Sequence, residues 1–324
     1  MFKQKAALLY PFVAIVLWAG NVIVSRLSAH TIGPQAITFY RLLVAVLLMS
    51  PFVAHGAWRN RLAIWPHLGP LAILGFLAMC LFQSLSYLAA ETTTATNMAV
   101  FTALTPLLTV GLSAALLGEQ PTLGMICGAP LSFAGLVYLV SGGDLSSLLQ
   151  NGVHAGDALM LLAAIVYALY GVLLKRWNLP ITGWQSTYMQ ALCALAVMFP
   201  AFLATPAPLR QVNAATLPLI IYAGALASVV LPFLWIRGVA QLGPNRCAIF
   251  MNLLPVLTAA AAIVMLGEPV KPFHVIGGGL ALLGVACAQA FPRPLRAARQ
   301  GLGPLGHRSE ERRVGKECRS RWSP

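Results

Sequence analysis

Charges, prolines and glycines cut this 324-residue chain into ten apolar blocks of about 20 residues, at 8–29, 35–54, 67–90, 95–117, 122–141, 155–175, 182–204, 214–236, 243–266 and 272–291. A helix of that length crosses the hydrocarbon of a bilayer and satisfies its own backbone on the way, so the blocks predict ten transmembrane helices. Barrel strands would be shorter and would alternate apolar with polar, which the run from Leu71 to Phe82 does not. Composition agrees, with 59% hydrophobic residues, 9% charged and a mean hydropathy of +0.79. A soluble domain is about 25% charged. Lys3 and Lys5 precede the first block in the manner of a signal peptide, but the block continues past Pro11, Asn21 and Arg26 and reads as an uncleaved span.

The net charge of +13 is spread singly or in pairs between apolar blocks, without aromatic platforms, so no nucleic-acid partner is expected. Five of the six cysteines fall inside the blocks with no CxxC spacing, which argues against a disulfide frame, a metal site or a cofactor. With the N-terminus in the cytoplasm, the inner side collects eleven Lys and Arg, and the outer side keeps Arg26, Arg41, Arg210 and Lys271. That bias predicts a multi-pass protein of an inner or plasma membrane with both termini cytoplasmic.

Residues 292–324 form a tail whose last stretch, 308–324, has six basic and three acidic side chains and no apolar period. Its string RSEERRVGKECRSRWSP resembles the translation of a sequencing adapter, which would carry no function; a disordered basic tail is the alternative.

Slid over itself by 149 residues, the chain superposes Gly75 on Gly224, Pro106 on Pro255, Leu117-Gly118-Glu119 on Leu266-Gly267-Glu268, Gly128 on Gly277 and Gly135 on Gly284. One gapless register through a proline, a triplet and three glycines marks a duplication, with units 6–141 and 155–291 and a polar linker at 142–154. Each unit holds five spans, an odd number, so the second enters from the opposite side and the repeats are inverted. Such repeats suit alternating access, because exchanging the conformations of the halves turns the cavity to the other side.

Trp18-Ala19-Gly20-Asn21, Phe39-Tyr40-Arg41, and Leu104-Thr105-Pro106 through Leu117-Gly118-Glu119, echoed at Leu254-Pro255 and Leu266-Gly267-Glu268, resemble the EamA-type unit of the drug/metabolite transporter superfamily. The resemblance covers nearly all of 6–291 and implies a ten-helix carrier, often an exporter of amino acids or related metabolites. It departs where the second half has Gln190 opposite Arg41 and Tyr170 opposite Asn21.

Pro106 and Pro255 fall near the middles of spans four and nine and free the carbonyls of Thr102 and Met251. These are expected to be kinks lining a central site with Asn97, Thr102, Thr105 and Asn252 nearby, or else packed kinks satisfied by Ser or Thr. Trp18 and Asn21, Gln83 and Tyr87, and Tyr167 and Tyr170 pair at helical spacings of three or four. With Trp235, these aromatic and amide side chains suit a cavity for an amphipathic solute, the alternative being interhelical packing. Arg41, two turns inside span two, either receives a substrate carboxylate, snorkels or pairs structurally. Glu119 and Glu268 follow a glycine and precede a helix, which predicts capping of that next helix, with a gate or proton site as the alternative.

Carboxylates and histidines lie outside span centres, so no proton relay is legible and neutral or zwitterionic solutes fit better than dianions. Gly124 with Gly128, and Gly277 with Ala281, give small-residue faces for close helix packing or a homodimer. The sequence carries no phosphate loop and no nucleophile–base grouping, so enzyme activity is not expected. The reading is a transporter exporting small organic metabolites; a facilitative channel-like pore or a multidrug or quaternary-cation exporter is the alternative.

Overall fold

The computed structural model describes residues 2–118, 123–144, 146, 154–242, 247 and 250–290, and among them regular structure is helical throughout. Eight helices are long and apolar enough to cross a membrane: α1 (Phe2–Ser28), α2 (Pro34–Arg59), α3 (Arg61–Ala89), α4 (Ala95–Leu117), α5 (Leu123–Val140), α6 (Ala155–Trp177), α7 (Gly183–Ala204) and α8 (Thr216–Leu242). Two shorter apolar helices follow, α9 (Met251–Leu266) and α10 (Pro272–Ala290). Residues 243–246 and 248–249 at the start of the span expected at 243–266, most of the 142–154 linker, and the tail from 291 lie outside the described residues. Large apolar side chains such as Phe133, Val264 and Val275 stand exposed on the outer surface, as a lipid-facing protein requires.

The helix ends follow local chemistry. Gly118 and Gly267, repeat equivalents, close α4 and α9 in the left-handed conformation at φ +68° and +67°, which glycine adopts without strain. Pro34 opens α2, where its missing N–H would be unsatisfied anyway. Thr94 and Thr182 cap α4 and α7, accepting from the Asn97 and Gln185 amides at 3.1 and 3.3 Å. Within α3 and α8 the ladder widens to π-helix at Phe76–Leu81 and Tyr222–Val230, stretches that correspond in the repeat.

Contacts between the halves come in exchanged pairs. Helix α1 packs on α8 and α9 as α6 packs on α3 and α4, and α2 meets α8 as α7 meets α3. Glycines permit the closest of these approaches. A Cβ on Gly75 would lie 2.4 Å from the Gln190 carbonyl oxygen, and one on Gly224 would lie 3.0 Å from that of Arg41. Equivalent helices that touch run antiparallel. Along α5 and α10, Gly128 faces Gly284 while Gly135 faces Gly277, and Ser132 donates to the Ala281 carbonyl at 2.8 Å. Along α2 and α7, Phe39 stacks on Phe202 at 4.3 Å, Ser50 bonds Tyr188 at 2.9 Å, and Asn60 donates to Gln185 at 3.1 Å. The small-residue faces noted in the sequence are thus used within one chain.

Candidate functional site

Trp18 and Tyr167 are repeat equivalents, and their rings meet edge-on at 6.3 Å, one from each half. Tyr167 also lies 4.7 Å from Phe82 and 5.5 Å from Tyr170, which has Gln190 of α7 as a neighbour. Helices α1, α3, α6 and α7 therefore bring their polar–aromatic faces to one place where the halves join. Trp235 joins Trp18 in a cluster built on Ile15, Ala99, Met251 and Leu254, which continues the aromatic lining to α8 and α9.

Among the described residues, five buried side-chain oxygens have no hydrogen-bond partner: Asn21 Oδ1, one turn from Trp18, Gln190 Oε1, Asn252 Oδ1, Asn97 Oδ1 and the Thr258 hydroxyl. A buried acceptor without a donor is costly, so such groups mark places where a solute or water completes the bonding.

Arg41 is 4% exposed and turns inward. Its Nη1 donates to Gln83 Oε1 at 2.6 Å and to the Tyr87 hydroxyl at 3.2 Å, while Nε and Nη2 both donate to Ser228 Oγ at 3.1 and 2.8 Å. Gln83 and Tyr87 reach it together because they are one helical turn apart on α3. Ser228 in turn donates to the Ala223 carbonyl, five residues back, at 2.7 Å, the spacing that the π segment of α8 creates. Among the described residues no carboxylate forms a salt bridge with Arg41. The outward snorkelling allowed by the sequence is not what the chain adopts.

Thr105 donates to the Thr102 carbonyl at 2.7 Å, the group freed by Pro106, and Thr102 donates to the Met98 carbonyl at 2.8 Å. Both hydroxyls are spent on the backbone of the kink. At the equivalent break in α9, the Leu254 amide meets the Met251 carbonyl ahead of Pro255.

Glu268 pairs with Arg26 at 3.4 Å and accepts from the Ala95 amide at 3.2 Å with each carboxylate oxygen. It therefore caps α4, in the other half, rather than the following helix α10 as the sequence suggested. Glu119 lies outside the described residues. Nearby, Asp157 is 3% exposed and accepts from the Thr93 hydroxyl and from Asn97 Nδ2, the latter at 3.2 Å. These contacts tie together the ends of α1, α3 and α9 and the starts of α4 and α6.

Ser228 and the burial of Asp157 were missed by sequence reasoning. A signal existed for Ser228, which with Tyr222 is the polar residue of an otherwise apolar run from Leu217 to Ile236. The π segments leave no such mark. A crevice of about 640 Å³ also opens between α2, α7 and α8, walled mainly by Leu48, Met49, Phe52, Ala225, Val229 and Phe233.

The model of the EamA-like transporter family matches this chain twice, at residues 5–141 and 154–288. An uncharacterized transporter of Archaeoglobus fulgidus is 30% identical over 84% of this chain and 93% of its own length. The uncharacterized transporter YyaM of Bacillus subtilis is 26% identical over 83% and 89%. A probable terminal-alkyne amino-acid exporter of Streptantibioticus cattleyicolor is 25% identical over 84% and 89%. A solved crystal structure, 21% identical, superposes with a TM-score of 0.57 over 89% of this chain and 99% of the other, a likeness of fold. The chain is a multi-pass membrane protein and belongs to the EamA-like transporter family.

Proposed function

We propose that the protein is a secondary carrier that exports small organic metabolites, amino acids or similar amphipathic solutes, by alternating access. In this reading ten spans form two inverted units, 6–141 and 155–291, joined by the 142–154 linker. Both termini face the cytoplasm across a plasma membrane, and the solute binds where the units meet. The observation that carries it is the contact of Trp18 with Tyr167: equivalent residues of the two halves meet there, within a run of rings near the Asn21 and Gln190 amide oxygens, which have no partner among the described residues. Ring faces and a few amide groups are what an amphipathic solute needs. The relative named for amino-acid export supports that substrate class. The same rings favour a second reading, export of quaternary cations, since a cation is attracted to an aromatic face.

Counterflow in proteoliposomes loaded with a panel of amino acids and quaternary ammonium compounds tests both readings. Saturable exchange of at least one amino acid is expected, weakened roughly tenfold by Asn21→Ala or Gln83→Ala, the loss of about one buried hydrogen bond. Exchange confined to the quaternary cations would favour the second reading. Undiminished exchange in both variants would remove the site.

A further inference from the structure

We propose that Arg41 and Ser228 receive a carboxylate of the transported solute, so that the carrier accepts monocarboxylates and zwitterions with an apolar part and refuses their amides and amines. The inference rests on the reading of the protein as a carrier and narrows what it carries. A guanidinium is a permanent cation, and one enclosed in a membrane-spanning helix is costly unless an anion accompanies it. Arg41 is 4% exposed, yet the oxygens it meets, on Gln83, Tyr87 and Ser228, are neutral. Its charge is solvated by these oxygens, and no carboxylate among the described residues balances it.

The geometry shows where an anion would bind. Nε and Nη2, the edge of a guanidinium that can grip a carboxylate in two parallel bonds, both converge on the single oxygen of Ser228. A carboxylate sliding against that edge exchanges one shared neutral acceptor for two charged ones. The Ser228 hydroxyl, whose single proton now goes to the Ala223 carbonyl, can rotate to donate that proton to the carboxylate once Arg41 turns to the solute. The crevice between α2, α7 and α8 lies near this pair: its wall residues Ala225 and Val229 flank Ser228 on α8, and Ser228 and Arg41 stand just beyond its lining, where a solute entering it would reach them. Leu48, Met49, Phe52 and Phe233 complete apolar walls that would hold the solute's hydrocarbon portion while its carboxylate reaches the arginine.

The test uses the purified full chain in detergent and two matched sets of probes: L-phenylalanine, its amide and phenethylamine; and L-leucine, its amide and isoamylamine. In thermal-shift titrations at least one of the two acids is expected to raise the melting midpoint, while the amides and amines do not. Arg41→Gln should abolish that rise. Ser228→Ala, a milder change that guards against misfolding, should weaken the acid's apparent affinity roughly tenfold, as loss of a hydrogen bond beside a charge does. The proposal falls if neither acid stabilises the wild type, if the amides or amines stabilise it equally, or if the response survives both substitutions. Flux of the same probes through proteoliposomes separates this failure from that of the carrier reading. Amines or amides moved equally well by wild type and Arg41→Gln would leave a carrier without this carboxylate site, whereas no movement of any probe or of the wider panel would sink the carrier itself.

Discussion

A proline in mid-helix frees one carbonyl, and the fate of that carbonyl decides how its neighbours can act. Here the Thr105 hydroxyl takes up the Thr102 carbonyl, so Thr105 serves the kink before it can serve a solute. Replacing it with valine should cost about 1–2 kcal/mol by stranding a buried acceptor, while serine should restore most of the loss. Thermal unfolding in detergent reads both. Asn21, Gln190 and Asn252 are the converse, amides with an oxygen still to satisfy. Helical spacing in the sequence put Gln83 and Tyr87 on a common face, and both accept from Arg41. It could not say which hydroxyls the backbone would claim, because a threonine facing its own helix and one facing a cavity share the same periodicity. Nor could it show that Arg41 turns toward Ser228, 187 residues away in sequence. Partners that distant follow from packing, which no local pattern encodes.

At the scale of helices, glycine's lack of a side chain sets how near two backbones come. On Gly135 a Cβ would lie 2.4 Å from the Ala281 amide, and on Gly284 it would lie 2.4 Å from the Gly128 carbonyl. Gly279, on the same helix α10, has nothing within 4 Å of that position. Gly135→Ala and Gly284→Ala should therefore each destabilise the protein by roughly 1–3 kcal/mol through overpacking. Gly279→Ala should be neutral or stabilising by about 0.5–1 kcal/mol, since alanine is the better helix former. Midpoints from fluorescence-monitored melting separate the two classes, and equal effects at all three sites would contradict the packing. Helix limits were legible in the sequence to within a few residues for most spans, since apolar length, Pro34, Gly118 and Gly267 mark them locally. The π segments were not, because an extra residue in a turn changes no apolar pattern. The capping partner of Glu268 was misjudged because a carboxylate at a helix end can reach any amide that tertiary packing brings near, and here that was Ala95.

For the whole molecule, the two ends of the α2–α7 pair are equivalent by repeat but differ in packing. At one end Thr205 is buried against Gly33, and Phe39, Tyr40 and Phe202 close together. At the other, Gly56 and Thr182, the equivalents of Thr205 and Gly33, line the open crevice. If both termini are cytoplasmic, the open end faces the cytoplasm. With the native cysteines replaced by alanine, Gly56→Cys should react with a membrane-impermeant maleimide added to inside-out vesicles, and Thr205→Cys should resist it from either side. Labelling of Gly56→Cys from the outside alone would reverse the topology. The duplication itself was fully legible, since 149 separates Gly75 from Gly224 as it separates Trp18 from Tyr167. Which copy stands open was not, because two equivalent sequences carry no record of the state they occupy. The glycine seam of α5 and α10 bears on that difference. With main chain pressed against main chain at the glycines and Ser132 bonded across the seam, these two helices have little freedom to slip. They supply Leu136, Leu139, Ala281 and Val285 to the cluster that backs Trp18 and Tyr167 but none of the polar groups named beside those rings, so in the carrier reading proposed above they would be a stationary axle about which the other helices turn.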